Sequence, residues 1–384
     1  MRNRLFRSAA ALLAAAGATA VPAAAQPTAA LMVVEREAPP LAAMPAVGPE
    51  ETGWMAAHFI NVGQGAATLL EFSCGLVLID TGGGGAEWTA RFTLYLDRVF
   101  ARRPDLDRTI DLVVLTHPHL DHTRGAPSLR EASRYRLRHI VTNAQPQGSG
   151  VAQQNQLTQF AAQNGVPVTP MRISMLDGSS GFTNDGVDPL RCNGNAPDIR
   201  LLWGSADQPP RWPATRDGNN HSVAVRVDFG LSSFLVTGDL EEAAQSFFIA
   251  RYAANPDILD VDVYQVGHHG SRNGTTPELV RAMTPQLAVV GAGDPADQEA
   301  GFSAFNFGHP NREAIAMLSD PDHGVSLTRP IRRVAVGIRG RNPSTGAPAE
   351  FEEMDLGRGI FATGWDGDVV VLASLAGEKR VVID

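Results

Sequence analysis

The chain has 384 residues, 43% of them hydrophobic and 19% charged, so it can bury a sizeable core as one large domain or two modest ones. A formal net charge of -9 argues against a broad polyanion-binding surface but leaves room for a local basic patch. The two cysteines, Cys74 and Cys192, permit one disulfide in an oxidising compartment and argue against a thiolate zinc knuckle. Two buried small hydrophobes are the other reading of that pair.

The opening "MRNRLFRSAAALLAAAGATAVPAAAQ" places Arg2, Arg4 and Arg7 ahead of a short Ala/Leu-rich run that closes on Ala23, Ala24 and Ala25. It reads as a secretory signal peptide over residues 1–25. The run is shorter than the roughly 20 residues of a bilayer span. A periplasmic or extracellular protein with no stable membrane insertion is the expectation. Residues 26–53, rich in Ala, Pro and acidic residues, read as a linker or lead-in strand, and residues 54–384 as the folded domain.

The folded part opens with "MAAHFINVG", "AATLLEF" and "CGLVLIDTG", short apolar runs broken by Gly, which predict strands joined by tight turns. "AEWTARFTLYLDRVFARR" carries Trp88, Phe92, Tyr95, Leu96 and Val99 at helical spacing and then meets Pro104, which predicts an amphipathic helix with a stop. "DLVVLT" and "RHIVTN" predict buried strands separated by a short helix, and "AQQNQLTQFAAQNG" a helix ended by Gly165. The stretch from about 172 to 219 is rich in Pro, Gly, Asn and Asp and predicts a long insertion of loops. Beyond it, "SVAVRVDFG" and "SSFLVTGD" predict a hairpin, "LEEAAQSFFIARYAA" a helix, "VDVYQVG" a strand and "TPELVRAM" a helix, with "QLAVVGAG" and "NREAIAMLS" continuing the alternation. Strand pairs mixed with strand–helix units imply an α/β layered fold.

The chemistry concentrates in "LTHPHLDHTRG", which follows the apolar run "DLVVL". His117, His119, Asp121 and His122 are metal ligands by type, and a tight loop leaving a buried strand holds them on a rigid base. One ion would rarely take all four. Two ions would divide them, His117 and His119 on the first, Asp121 and His122 on the second. An exposed polar turn is the bland reading, and three of the chain's ten histidines within six residues argue against it.

"LIDTG" followed by "THPHLDH" resembles the metallo-β-lactamase superfamily, and "HFINVGQGAATLLEF", "FLVTGDLE", "VGHHGS" and "FGHP", in that order from about His58 to about Leu318, are similar to the hydrolase domain of the DNA-internalisation proteins called ComEC. The resemblance implies an αββα sandwich with a dinuclear metal site at the sheet edge. It places Asp239 as a carboxylate bridging both ions, where an ordinary helix N-cap is the alternative. It places His268 as the histidine completing the second ion, with its neighbour His269 in contact with substrate or orienting the site, and it leaves the choice between the two open. His221 falls at the third ligand of the first ion in many superfamily members, whereas ComEC-like sequences often have asparagine there. Asp80 is expected behind the metal loop as a supporting carboxylate. His309 is expected at the site's edge or as a helix-entry residue. His58, His139 and His323 take structural readings.

The implied reaction is metal-assisted hydrolysis. Two divalent ions, zinc or else manganese or iron, would bring a bridging water to a pKa near neutrality, with Asp121 orienting or deprotonating it. No organic cofactor is implied. The superfamily cleaves lactams, thioesters, lactones and phosphodiesters, and fold alone does not choose among them. The ComEC-like motifs favour a small-molecule or nucleic-acid phosphodiester. Hydrolysis of lactam, ester or lactone bonds is the second reading, and a non-catalytic metal-binding protein the third. Arg329, Arg332, Arg333, Arg339 and Arg341 form a cluster that either binds phosphate or is a solvated strand face.

Overall fold

The computed structural model describes residues 31–35, 47–131, 134–205, 217–298 and 301–384. The expected signal peptide lies outside the described residues, as do 26–30 and 36–46 of the expected linker and 206–216 of the expected insertion.

The first half of the chain carries β1 (Met32–Glu35), β2 (Trp54–Phe59), β3 (Thr68–Phe72), β4 (Gly75–Ile79), helix α1 (Ala86–Arg102), β5 (Thr109–Ile110), β6 (Leu112–Leu115), the single turn α2 (Leu120–Thr123), β7 (Arg136–Leu137), β8 (Ile140–Thr142), α3 (Val151–Gln163) and β9 (Val168–Pro170). The second half carries β10 (Asp198–Trp203), β11 (Ala224–Phe229), β12 (Ser232–Val236), α4 (Glu242–Arg251), β13 (Val263–Gln265), α5 (Pro277–Met283), β14 (Leu287–Val290), α6 (Ala304–Phe307) and α7 (Arg312–Leu318). The chain ends with β15 (Thr328–Arg339), β16 (Glu350–Arg358), β17 (Ile360–Ala362), α8 (Thr363–Asp366), β18 (Val369–Ser374) and β19 (Lys379–Ile383).

Two mixed sheets result. Nine strands lie in the order β1-β19-β18-β2-β3-β4-β6-β8-β9, and six in the order β10-β11-β12-β13-β14-β17. The strands read as unbroken apolar runs because both faces of each sheet are covered. Successive side chains point to opposite faces, so Val77 and Ile79 enter the core between the sheets together with Val114, Val225, Phe234, Val236 and Val289. Leu76 and Leu78 point the other way, onto Phe92, Tyr95, Leu96 and Val99 of α1 and Leu157 of α3. On the far side, Leu235, Tyr264 and Val290 meet Phe248 of α4, Leu279 and Met283 of α5 and Ile315 of α7. Helix, sheet, sheet and helix thus follow from period-2 alternation in the strands, and the αββα expectation holds.

One sequence reading changes and two open ones are decided. The lead-in strand of residues 26–53 is β1, which pairs in parallel with β19 and forms an edge of the larger sheet. The expected insertion of loops contains β10, whose alternate residues Ile199 and Leu201 enter the central core while its backbone pairs with β11. Its polar and Pro-rich flanks hid a six-residue strand. The arginine cluster belongs mainly to the β15–β16 ribbon and is largely neutralised. Arg329 is buried on Asp366 and over the Phe361 ring, Arg332 shares Asp366, Arg333 meets Asp355, and Arg339 meets Glu350. Cross-strand opposite charges explain a composition that otherwise suggested phosphate.

His58 is buried, with Nδ1 2.9 Å from the Tyr95 hydroxyl and Nε2 3.1 Å from Glu71, which in turn accepts from Arg103. Its structural reading fits. Half-buried His139 lies 2.9 Å from Thr169 Oγ1, and His323 is exposed.

Cys74 and Cys192 form a disulfide across a sequence separation of 118, tying the β3–β4 turn to the segment before β10. Closing a loop of that length restricts the unfolded chain, so Cys74→Ala/Cys192→Ala should lose about 2–4 kcal/mol of stability. Urea unfolding of the oxidised protein and the double variant measures it, and equal midpoints would count against the bond.

Candidate metal centre

The site lies where strands of both sheets end. β4 runs into Asp80, β6 into Thr116 and His117, β12 into Asp239, and β13 into the Gly267–Gly270 turn that carries His268 and His269. Carboxyl ends of neighbouring strands are where open α/β sheets place ligands. The turns are tight. A Cβ on Gly83 would stand 2.2 Å from the Asp121 Cα, and one on Gly65, at φ +148°, would stand 2.4 Å from the Asp121 carbonyl oxygen. The glycines of "VGQG" and "TGGGG" therefore let two loops close onto the metal loop. Asp80, His268 and His269 adopt φ of 58°, 49° and 53°. Non-glycine residues held there cost of order 1–3 kcal/mol each and concentrate where side-chain aim matters.

Two donor groups converge, sharing Asp239. In one, Asp121, His122, Asp239 and His269 present ligand atoms that all lie within 4.8 Å of one another. His122 Nε2 is 3.1 Å from His269 Nε2 and 3.1 Å from Asp239 Oδ1, and His269 Nε2 is 3.2 Å from Asp121 Oδ2 and 3.4 Å from Asp239 Oδ2. In the other, His117 Nε2 is 3.0 Å from His119 Nδ1 and 3.7 Å from Asp239 Oδ2. Donors held at about 2.0–2.1 Å from one tetrahedral zinc are about 3.3 Å apart. His119 also lines an open cleft of about 640 Å³ with His221, Gln145, Gln147, Asp217 and Gly218.

The outer nitrogens settle which way each ring faces. His122 Nδ1 lies 2.8 Å from Asp80 Oδ2 and donates to it. Asp80 also accepts from the Thr116 amide at 2.7 Å and the Thr116 hydroxyl at 2.8 Å. His269 Nδ1 donates to the Gly291 carbonyl at 2.7 Å. Both rings therefore direct Nε2 inward, and the nitrogens meet at 3.1 Å. One proton can bridge that gap as a hydrogen bond, whereas a divalent cation facing the Asp121 and Asp239 carboxylates would meet both nitrogen lone pairs at once, so these residues fit a divalent metal.

The electrostatics agree. Burial raises Asp239, but the charges of His122, His269, His268 and His117 outweigh it and hold the carboxyl well below its ordinary range. Burial likewise opposes ionisation of Asp121, and the hydrogen bond from His269 with the charges of His122 and His269 prevails, holding it ionised. Burial lowers His269, yet the charge of Asp239 and the bonds to Asp121 and Asp239 push it up to about 10. His117 is held well below the ordinary imidazole value, by burial first and then by His122. The carboxylates thus attract positive charge into a dry site.

Five of the seven predicted ligands come together, His269 stands in for His268, and His221 lies in the adjoining cleft. His117, His119, Asp121, His122 and Asp239 converge as expected, and Asp80 supports His122. Between the two adjacent histidines, it is His269 whose nitrogen joins the donor group. His268, read from sequence as the ligand, stands 3.9 Å from Asp239 Oδ2 and turns Nδ1 toward Glu241 at 3.5 Å. The left-handed backbone at both residues sends the rings in different directions, with centroids 6.2 Å apart. Asp239 does not cap α4, whose N-cap is Glu241. His221 is buried beside His119 in the cleft, with its carbonyl accepting from Asn143. His309 is buried at the site's edge, its ring 27° from parallel with His269. Sequence reasoning missed Thr116 and Ser222, whose hydroxyls lie 3.1 and 3.3 Å from His117 Nδ1, and the Gly291 carbonyl. Thr116 could have been found from its place next to the first histidine; a backbone carbonyl leaves no such trace.

The model of the metallo-beta-lactamase superfamily matches residues 60–293, more than half of the chain and the segment that carries every donor named above. The chain belongs to this superfamily. It is also distantly homologous to competence proteins. It is 27% identical to "Recombination protein 2" of Haemophilus influenzae over 61% of this chain and 24% of that protein. It is 24% identical to "ComE operon protein 3" of Bacillus subtilis over 74% of this chain and 33% of that protein. The chain therefore spans about a quarter to a third of these relatives' length. Among solved structures, the metallo-beta-lactamase fold protein YhfI from Bacillus subtilis is similar at 13% identity and a TM-score of 0.36, over 62% of this chain and 85% of that one.

The exchange of histidines has a direct check. His269→Ala should lower bound metal by about one equivalent, whereas His268→Ala should keep its full content; metal analysis of the purified variants decides, and the reverse pattern would restore the sequence reading. Asp80→Asn removes the charge that fixes the His122 tautomer, and metal affinity should fall roughly 10- to 100-fold by chelator competition. An unchanged affinity would show that Thr116 alone holds the loop.

Proposed function

We propose that this superfamily member is an exported, metal-dependent hydrolase that binds two divalent ions, zinc by preference, and cleaves phosphodiester bonds in nucleic acid or nucleotides. The observation that carries the reading is the pair of donor groups joined through Asp239, one opening through His119 onto the cleft. Homology to competence proteins supports a phosphodiester over a lactam or lactone. The signal-like residues 1–25 support export, as does the disulfide, since such bonds persist in oxidising compartments. Among the described residues no helix is long and apolar enough to cross a membrane.

Divalent ions at these donors supply Lewis-acid polarisation and a nucleophile at neutral pH. The protein's own groups do the rest. His117, His119 and His221 on one side and Asp121, His122 and His269 on the other would hold the ions, with Asp239 shared by the two groups. Asp121, the one member of its buried group that is partly exposed, faces incoming water and orients it. His268, adjacent to the cluster and 20% exposed, is placed to touch substrate. Asp80 and the Gly291 carbonyl keep the rings in register, so no reorganisation is needed during reaction.

The purified chain, reconstituted with zinc, manganese or iron, is offered bis-p-nitrophenyl phosphate, a chromogenic lactam and labelled single-stranded DNA. Turnover of the phosphodiesters with two equivalents of metal bound is expected, and His119→Ala should reduce it at least about 100-fold, as loss of a principal electrostatic contact does. Turnover of the lactam alone would replace the substrate class, and two bound metals with no turnover would make the protein a metal binder.

A further inference from the structure

A stack of planar side chains leads from the donor group to the surface. The His309 ring lies 6.3 Å from that of His269 with planes 27° from parallel, and the Phe307 ring lies 5.8 Å from His309 at 26°. Phe307 ends the stack 44% exposed. The Phe302 ring packs beside it, with centroids 5.2 Å apart and planes at 79°. A single exposed phenylalanine is ordinary. One that continues an array of rings out from the donor group is held in a defined direction.

The local structure fixes that direction. The Ser303 hydroxyl caps α6 by accepting from the Asn306 amide. Gly308, at φ +71°, packs so closely on the end of β15 that a Cβ there would stand 2.6 Å from Arg339 and Gly340 backbone atoms. Gln64 Nε2 lies 3.4 Å from His309 Nδ1 and steadies the middle ring, while its buried Oε1 has no partner among the described residues. The Arg341 amide donates to the Asn306 carbonyl at 2.7 Å, bringing an exposed arginine to the same edge. Of the five clustered arginines it is the one with no ion pair to a described residue.

We infer that Phe307 is a stacking platform for a nucleobase of the substrate next to the phosphodiester held at the metal centre, with Arg341 beside the neighbouring phosphate. This rests on the phosphodiester reading above and narrows it to base-bearing, single-stranded substrates. Every base has a π-face, so an aromatic ring beside a cation binds single strands with little sequence preference. A duplex, with its bases already stacked on one another, offers no free face to such a platform.

The test uses the metal-loaded protein and a hydrolysis-resistant, phosphorothioate single-stranded oligonucleotide, with and without abasic positions, followed by fluorescence anisotropy. Phe307→Ala should bind the intact strand about 5- to 100-fold more weakly, Phe307→Tyr should restore binding, and the penalty should vanish on the abasic strand. Equal binding of intact and abasic strands by the unaltered protein, or an equal loss on both strands in Phe307→Ala, would overturn the platform. Hydrolysis of bis-p-nitrophenyl phosphate, measured in parallel, separates the two readings. If that compound is turned over and the intact strand gains nothing from Phe307, the platform fails while the phosphodiester reading stands. If no phosphodiester is turned over, both fail.

Discussion

The structure depends on the convergence of buried acceptors around Asp239. Burying carboxylates beside imidazoles is expensive unless every lone pair and proton finds a partner. Here Asp80 and the Gly291 carbonyl fix the outer nitrogens of His122 and His269, so that the inner nitrogens face each other and two carboxylates. The two Nε2 atoms, 3.1 Å apart, can share one proton in a hydrogen bond or present both lone pairs to a cation. The tight glycine turns, the left-handed residues and the strand ends all serve to hold groups at distances they would not otherwise choose.

The layers of the fold were legible in the sequence because period and layer are the same information. Alternation within "GLVLI" assigns Val77 and Ile79 to the inter-sheet core and Leu76 and Leu78 to the helices. The helical spacing of α1 matches its buried Phe92, Tyr95, Leu96 and Val99. β10 was not legible, and β1 only as one of two readings. Each is short and set among Pro, Ala or polar residues, and each is held by pairing with a strand outside its own stretch, β19 in the first case and β11 in the second. Local pattern carries no signal for a strand that long-range pairing creates.

Within the site, residue types and spacing were enough to name the metal loop, because four ligand-type side chains in six residues have few other uses. They were not enough to separate His268 from His269. That choice depends on two successive left-handed backbone conformations, which turn the second ring inward and leave the first beside Glu241. The arginine run left two readings open for the opposite reason. Its partners Asp355, Asp366 and Glu350 lie well along the chain, and only the pairing of β15 with β16 and the turn of α8 bring them opposite.

Rigidity on one side of the centre has a consequence for the other. The rings of His269, His309 and Phe307 are each braced by the backbone around them, whereas the cleft beside His119 and His221 is open and polar. A substrate gripped only in the open cleft would bind through water-exposed contacts, each worth little. On the proposed reading, a planar group set against the fixed edge would lose its freedom there while the bond beside it stayed free to reach the ions, and this division between a rigid anchor and an open reaction space would let an acidic protein hold a polyanion at one point without a broad basic face.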